Sequence, residues 1–520
     1  MSSLDWFLFF IYLTLTAVIG FWAGRRQTTT EDYFLGARRI PWWAAMLSLI
    51  ATETSAVTVV AIPAQIYAQG GNFGFLQCAV GFAIGKVLIS VFILPAYFKR
   101  KLTTPYEFLG DRLGGSGQRA GALLFSTALF VGAAFRVYVG AIPLSQAAGM
   151  SIHVSLIIIV VLAVGYTLMG GLKAVIYTDV FQMLLFLVGG MVAFGFILYQ
   201  LPHGWESFAE GSRAAGKTGL IDSGFRTTAS GSWYYDWSAP YTLFAGLIGS
   251  AFVTLATHGT DHSNLQRLLA CRSLRSARAA LLFSAVIVIF QFALFLAVGA
   301  AVYVFFHSVE PAPALDNLNA VLPYYIVHYL PVGLAGVLIA GIFAAAMYTV
   351  DSALSALSAS TLKDWFPNFS KGADSGSELA QARWVVLGWG MLLWIGAEAA
   401  SRLGRDDLIG AIFTVANSLY GPLLGIFLIA LLLYRNQDPT TREGKLLRFL
   451  LRIGIPSAVG LSVQLCFFLL GREWIMGDRT FKLAWPWVTL VGALATFLPA
   501  LVLKPWARTR IENRTGTDRE

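Results

Sequence analysis

Apolar blocks of about twenty residues or more recur along the whole chain, and they decide what it can fold into. A helix rises 1.5 Å per residue, so about 20 residues cross the roughly 30 Å hydrocarbon layer of a bilayer. The blocks lie near 4–23, 41–66, 74–97, 119–148, 152–171, 177–200, 239–259, 277–306, 325–360, 383–401, 408–434, 449–470 and 484–503. In lipid every backbone polar group must bond within the chain, so such blocks are helices. The first, Trp6 to Trp22, has no cleavage signature and reads as a retained span. The pattern predicts an all-α membrane protein with about 13 transmembrane helices.

Composition agrees. Only 12% of the 520 residues are charged, against about 25% in soluble proteins, too few to cover a soluble surface. Many of the 15 Trp stand at block ends, among them Trp42, Trp43, Trp205, Trp384, Trp474 and Trp506, as in an interfacial belt. The net charge of +9 could suggest a nucleic-acid partner, but the basic residues alternate with the spans. Arg25, Arg26, Arg38 and Arg39, then Lys99, Arg100, Lys101, Arg112 and Arg119, then Lys173, then Arg267, Arg272, Arg275 and Arg278 fall on one side. Lys363, Lys371 and Arg383, the cluster from Arg435 to Arg452 and the tail from Lys504 continue it. The positive-inside rule then puts the N-terminus outside and the C-terminus in the cytoplasm, in a plasma membrane of the bacterial inner-membrane type, and no nucleic acid is needed.

The short loops leave no room for a soluble catalytic domain. Segment 201–238 is Gly/Ser-rich and ends in aromatics, which suits an external cap or a flexible loop, and 505–520 reads as a disordered cytoplasmic tail. Cys78, Cys271 and Cys466 have no metal or redox spacing and read as packing residues. The six His are dispersed and no His-Glu-x-x-His or comparable set occurs, so a membrane-embedded enzyme is not expected.

Ionisable residues at membrane depth mark function by default. Glu53 lies in the second block, Arg136 in the fourth, Asp179 at the start of the sixth, Asp351 in the ninth, and Lys86 in the third, where it can snorkel. Asp179 can also be read as a helix N-cap. The second block is the most unusual: Thr52, Glu53, Thr54, Ser55 and Thr58 fall close together, and Pro63 follows. Pro removes a backbone donor, and a helix broken here would turn carbonyls toward a cavity, as in transporter ion and substrate sites. A Ser/Thr-rich helix contact is the plainer reading, which Glu53 makes costly. In the ninth block Ala345, Tyr348, Thr349 and Ser352 share a helix face with Asp351 at its edge. Their oxygens suit a hard cation, or close packing with hydrogen bonds.

Several ordered motifs carry a resemblance. They are Asp32-Tyr33-Phe34-Leu35-Gly36 with Arg38; the segment from Ala51; Gly170-Gly171-Leu172-Lys173-Ala174-Val175 with Thr178, Asp179 and Gln182; Gly259-Thr260-Asp261 with Gln266-Arg267; the run from Ala345 to Ser352; and Gly421-Pro422 with Gly425. Over nearly its whole length the chain resembles the sodium:solute symporter family, especially its sialic acid and sugar transporting members.

The resemblance implies a LeuT-like core of two inverted five-helix repeats: 1–40 a leading helix and cytoplasmic loop, 41–200 the first repeat, 201–238 an extracellular loop, 239–434 the second repeat, 435–504 two C-terminal helices and 505–520 the tail. It implies a monomer that imports a small polar solute by alternating access, with Na⁺ as coupling ion and no organic cofactor.

A sodium site is implied at the Ala51 and Thr54 carbonyls, the Ala345 carbonyl and the Thr349 hydroxyl. The family's serine is replaced here by Tyr348, whose phenol oxygen lies too far from the backbone to substitute directly. A second site is implied at Asp179, Asp351 and Ser352, where two carboxylates could hold Na⁺ or share a proton. Substrate contacts are implied at Glu53, Ser55, Thr58, Phe73, Gln77 and Arg136, with Thr254, His258, Asn417 and Ser418 as further polar groups. His258 on its own reads as a helix-end residue.

Arg136 matches the arginine that clasps a carboxylate in the sialic acid carriers, which favours an organic acid or acidic sugar. Alternatively Arg136 pairs with Glu53 and the substrate is a neutral sugar, the coupling ion is H⁺, or the chain is a facilitator or sensor without coupling.

Overall fold

The computed structural model describes residues 2–24, 27, 29–54, 56–228, 230–315, 318–366, 375–403, 418–434, 450–469, 473–476 and 479–516. Helix α1 (Ser3–Gly24) exposes Phe7, Phe10, Phe21 and Trp22, the apolar surface of a lipid-facing helix. The short α2 (Thr30–Leu35) starts at Thr29, whose side chain accepts the Asp32 N–H, and ends at left-handed Gly36.

The second block is two helices, α3 (Trp42–Glu53) and α4 (Ala56–Tyr67). The third is α5 (Leu76–Leu88), which runs through a π-turn at Ile89–Ile93 into α6 (Leu94–Phe98). A short α7 (Pro105–Leu113) leads into α8 (Gly115–Ala148). Blocks five and six join as α9 (Ile152–Gln200), interrupted at Gly171, where φ is 51° and ψ −155°. Only glycine adopts that backbone easily, and a Cβ there would stand 2.5 Å from the Tyr33 carbonyl oxygen. The turn between these two expected spans is thus compressed into a single residue.

Segment 201–238 carries regular structure: α10 (Trp205–Ala214) and a hairpin of β1 (Phe225–Thr227) and β2 (Trp233–Tyr235), with Phe225 opposite Tyr235. Its Lys217 is buried and donates from Nζ to the carbonyls of Ile66, Tyr67 and Ala68 at 2.5, 3.2 and 3.0 Å. A cation there satisfies the open carbonyls at the end of α4 and favours the negative pole of its dipole.

The second half begins with a π-turn at Ala245–Gly249 that leads into α11 (Ser250–Gly259). Then come α12 (His262–Leu269), α13 (Leu274–Ser308), α14 (Val321–Tyr329) and α15 (Leu334–Ser360), which ends in a π-turn at Thr361–Trp365. The ninth expected span is therefore split between α14 and α15, at Pro331, which cannot continue a helix. The Asp5 carboxylate caps the start of α15 by accepting the N–H groups of Gly333 and Gly336 at 2.7 and 2.9 Å.

The remaining elements are α16 (Ser375–Leu403), α17 (Ser418–Leu433), α18 (Ile455–Leu469), a hairpin of β3 (Glu473–Met476) and β4 (Arg479–Lys482), and α19 (Trp485–Gly516). Residues 505–516, expected as a disordered tail, continue α19 as helix. Extending a formed helix adds a hydrogen bond for each residue fixed, which nucleating a new one does not. Cys78 and Cys271 are buried, whereas Cys466 is exposed on α18 and does not pack in the chain's interior.

Among the described residues seven helices are long and apolar enough to cross a membrane, with three shorter apolar helices beside them. Helix α15 packs against α1, α3, α4, α8 and α9, so the broken pair α3–α4 borders the centre of the bundle.

Candidate transport site at a broken helix

The break between α3 and α4 is short. Glu53 is the last helical residue, Thr54 is extended (φ −90°, ψ 107°), and α4 starts at Ala56. Among the described residues of the stretch from Ala51 to Thr58, where unwinding is expected, only Thr54 is non-helical, and Pro63 sits inside α4 instead of at the break. Sequence chemistry explains the position. The Thr52 hydroxyl bonds back to the Ser48 carbonyl at 2.9 Å, a contact that bends helices. From α13, Gln291 Nε2 donates to Thr54 Oγ1 at 2.7 Å and holds the extended residue.

Beside the break lies a cavity of about 200 Å³, lined by Thr52, Glu53, Arg136, Thr254, Thr257, His258, Asp261, Asn264 and Tyr420, with Phe82 and Phe292 among its apolar walls. Glu53 does not pair with Arg136 as one reading supposed. It forms an ion pair with Lys86 of α5, and His258 Nε2 of α11 meets the same carboxylate oxygen. Lys86 does not snorkel. It is fully buried and also donates to Ser284 Oγ of α13 at 3.0 Å. A carboxylate on one side and a hydroxyl on the other make burial cheaper than a long reach to the interface.

His258 does stand in the last turn of its helix, but its ring faces the cavity and not the helix end. Asp261 is the N-cap of α12: Oδ1 accepts the N–H and hydroxyl of Ser263 at 2.7 and 2.5 Å, and Oδ2 accepts the Tyr420 hydroxyl at 2.5 Å.

A second polar cluster lies deeper. Asp179, expected to open a helix or ligate a cation, is inside α9 and fully buried. Arg267, counted from the sequence among the cytoplasmic loop residues, is fully buried beside it. Arg267 Nη2 donates to Asp179 Oδ2 at 2.8 Å and to Ser352 Oγ at 2.7 Å. Its Nε donates to Ser48 Oγ at 2.7 Å and its Nη1 to the Ser263 carbonyl at 2.6 Å, while Ser48 donates on to Asp179 at 2.5 Å. Asp179 and Ser352 are thus brought together with a guanidinium bridging them. Asp351 is buried on the same helix as Ser352.

The remaining expected residues divide. Ala51, Thr54, Tyr348 and Thr349 are all buried on α3, at its end, or on α15. The Tyr348 hydroxyl is buried and finds no hydrogen-bond partner among the described residues. Gln77 is turned away from the cavity and donates to the Tyr241 carbonyl at 2.9 Å. Phe73 stands in the 3₁₀ turn before α5 and is not among the cavity's lining residues. Ser55 and Asn417 lie outside the described residues. Of Thr58 and Ala345 only the helical backbone is described.

Lys86 and Arg267 are the functional groups that sequence reasoning placed wrongly. A signal for Arg267 exists: it falls within Leu265-Gln266-Arg267-Leu268-Leu269, where every side chain is buried.

A helix interrupted at its centre, a polar cavity at the interruption, and buried ion pairs on both sides define a membrane-embedded secondary transporter. Comparison with known proteins narrows this. The sodium:solute symporter family profile matches residues 33–442, and the chain belongs to that family. It is 28% identical to the sodium/sialic acid symporter SiaT of Proteus mirabilis, over 83% of this chain and 85% of that one. It is 29% identical to the human sodium/iodide cotransporter, over 85% and 67%. The structure superposes on a substrate-bound, outward-open Na⁺-coupled sialic acid symporter with a TM-score of 0.82 at 25% identity, covering 97% and 98% of the two chains. It shares its fold with the nucleobase-cation-symport-1 transporter Mhp1, with a TM-score of 0.59 at 13% identity. The fold is the LeuT-like one.

Proposed function

We propose that this chain is a Na⁺-coupled symporter that imports a small organic anion by alternating access. It acts as a transporter and not an enzyme, as a monomer of about 13 spans with its N-terminus outside and C-terminus in the cytoplasm. The observation that carries this reading is the cavity at the α3–α4 break, with Arg136 in its wall. A guanidinium fork there matches a carboxylate. The relatives point the same way, since sialic acid, iodide and monocarboxylates are anions.

The Na⁺ would take the Ala51 and Thr54 carbonyls, the Ala345 carbonyl and the Thr349 hydroxyl. Because Tyr348 stands where the family has a serine, water supplies the fifth oxygen. The Arg267 bridge between Asp179 and Ser352 supports one Na⁺ per cycle over two, since a fixed guanidinium already stands between those ligands.

The test is uptake into proteoliposomes under an imposed inward Na⁺ gradient, with short monocarboxylates and acidic sugars as solutes. Accumulation of an anion that collapses in Arg136→Gln is expected. If neutral sugars accumulate and anions do not, or if no solute responds to Na⁺, the proposal fails.

A further inference from the structure

We infer that Asn264 is a specificity-determining residue: its amide oxygen accepts a hydrogen bond from a hydroxyl of the transported anion, so the carrier selects hydroxylated acids over their deoxy counterparts. The inference rests on the anion-symport reading above and narrows it to a chemical class.

The orientation of the amide comes first. Asn264 stands in the first turn of α12 and is the one amide side chain among the residues lining the cavity. It is only 7% exposed. Its Nδ2 donates to the Thr257 carbonyl at 2.8 Å. A carbonyl only accepts, so the branch of the amide that meets it is the NH₂, and Oδ1 is fixed on the other branch. Oδ1 is enclosed and meets no donor among the described residues. A buried acceptor left unsatisfied is costly, and each one in a folded protein calls for a reason. In the wall of a solute cavity the reason is a donor that the solute brings.

The neighbouring hydroxyls point to the same class. Thr52 gives its hydrogen to the Ser48 carbonyl, Ser263 to Asp261 Oδ1 and Tyr420 to Asp261 Oδ2. A hydroxyl has a single hydrogen, so these three oxygens have only lone pairs left to offer the cavity they line. Together with Asn264 Oδ1 they make the wall rich in acceptors, while Arg136 brings guanidinium donors for a carboxylate. The complementary solute carries an anionic group for Arg136 and hydroxyl hydrogens for the acceptors.

A halide or an unsubstituted fatty acid brings acceptors alone. It would shut water away from Asn264 Oδ1 and give nothing in return, and displacing water by a group that cannot reproduce its hydrogen bonds loses affinity. A site that bonds a solute hydroxyl therefore rejects the analogue lacking it far more strongly than an apolar pocket rejects a missing methylene.

The experiment is Na⁺-driven uptake into proteoliposomes with matched acids. One series is propanoate, its α-hydroxy and β-hydroxy derivatives, and the α-fluoro and β-fluoro derivatives; the other is sialic acid and its analogues with single hydroxyls replaced by hydrogen or fluorine. Fluorine takes the place of a hydroxyl and cannot donate. In the wild type at least one hydroxy acid should exceed both its deoxy and its fluoro counterpart by about tenfold or more in kcat/KM. In Asn264→Leu that ratio should fall to within about twofold. Because the ratio is read within each protein, a loss of folding or turnover common to all solutes cancels. Equal uptake of hydroxy, deoxy and fluoro acids by the wild type, or a ratio unchanged in Asn264→Leu, overturns the inference and leaves anion symport standing. Absence of Na⁺-driven uptake of every acid in both series overturns the symport reading, and the inference falls with it. If Asn264→Leu is inactive, Asn264→Ser replaces it, since serine keeps a donor for the Thr257 carbonyl and withdraws the amide oxygen. With both variants inactive, the wild-type fluoro comparison decides.

Discussion

Two buried carboxylate–cation pairs sit near the centre of this protein, and they are built to opposite ends. Asp179 and Arg267 are both fully enclosed, and Arg267 donates from three nitrogens to Asp179, Ser48, Ser352 and the Ser263 carbonyl. Glu53 and Lys86 lie beside the cavity; Lys86 is enclosed, Glu53 keeps some exposure, and a third member, His258, meets the same carboxylate oxygen. An enclosed pair whose guanidinium donates to four acceptors works as a clamp joining α3, α9, α12 and α15. A pair beside a cavity, with a third polar group on the same oxygen, can exchange partners with an entering solute. The closed pair therefore holds the helices in place, and the open pair is where contacts can change as a solute enters.

The largest effect should come from breaking the clamp. Arg267→Met leaves Asp179 buried without its cation, which costs about 3–5 kcal/mol. The loss should appear as a large drop in the unfolding midpoint in detergent, followed by tryptophan fluorescence. Replacing both members, Arg267→Met with Asp179→Leu, should recover most of it, because an apolar pair carries no desolvation cost. A double variant no better than the single would mean that Arg267 acts through its serine and backbone contacts, not through Asp179. Lys86→Met should cost less, about 1–3 kcal/mol, because Glu53 retains His258 and some water. Its main effect should be on anion uptake. If Lys86→Met destabilises more than Arg267→Met, the contrast between the closed and the open pair is wrong.

Much of this was legible in the sequence, for reasons that also explain what was not. Apolar blocks announce helices because lipid allows the backbone no alternative. The break was legible because Thr52, Glu53 and Thr54 are costly together at membrane depth, although its extent was overread: helix geometry resumes as soon as the backbone can, at Ala56. The charge partners were not legible. Glu53 meets Lys86 and His258 from helices distant in sequence, and periodicity within one helix says nothing about which faces meet. Arg267 was misassigned because loop counting treats any charged residue between apolar blocks as solvated, whereas α12 folds back into the bundle. Gln77 matched a family position, yet its amide is turned to the Tyr241 carbonyl, a matter of side-chain direction that no spacing reveals.

A carboxylate buried among neutral donors only should fall between the two pairs. Asp364, in the turn after α15, accepts bonds from Thr104 Oγ1, Gln118 Nε2 and Ser360 Oγ at 2.7, 2.8 and 2.9 Å. Burial pushes its pKa up to about 7, against the pull of those three bonds. With the folded value raised above the unfolded one, its contribution is fully present below the unfolded pKa near 4 and is lost as pH rises through about 7. Between pH 6 and pH 7.5 the protein should lose about 1 kcal/mol from this group, and Asp364→Asn should flatten that part of the profile. A slope unchanged in Asp364→Asn would assign the loss to another group.

The smallest effect belongs to Asp222 and Arg226 at the base of the β1–β2 hairpin. They resemble the buried pairs in geometry, with guanidinium bonds of 2.8 and 2.6 Å to the two carboxylate oxygens. The difference is solvent, since both side chains are 38% exposed. Arg226 holds the Asp222 carboxyl below its usual range, so the pair's contribution is present above the ordinary carboxylate pKa and fades as pH falls. Water and salt screen most of it, and exposed pairs are worth about 0–1 kcal/mol. Asp222→Asn should therefore shift the unfolding midpoint only slightly, and raising the salt concentration should erase the shift. The same salt increase should leave the penalty of Arg267→Met unchanged, because no counterion reaches that site. If both variants respond to salt alike, the Arg267 cluster is wetter than its packing indicates and its role as a clamp is lost.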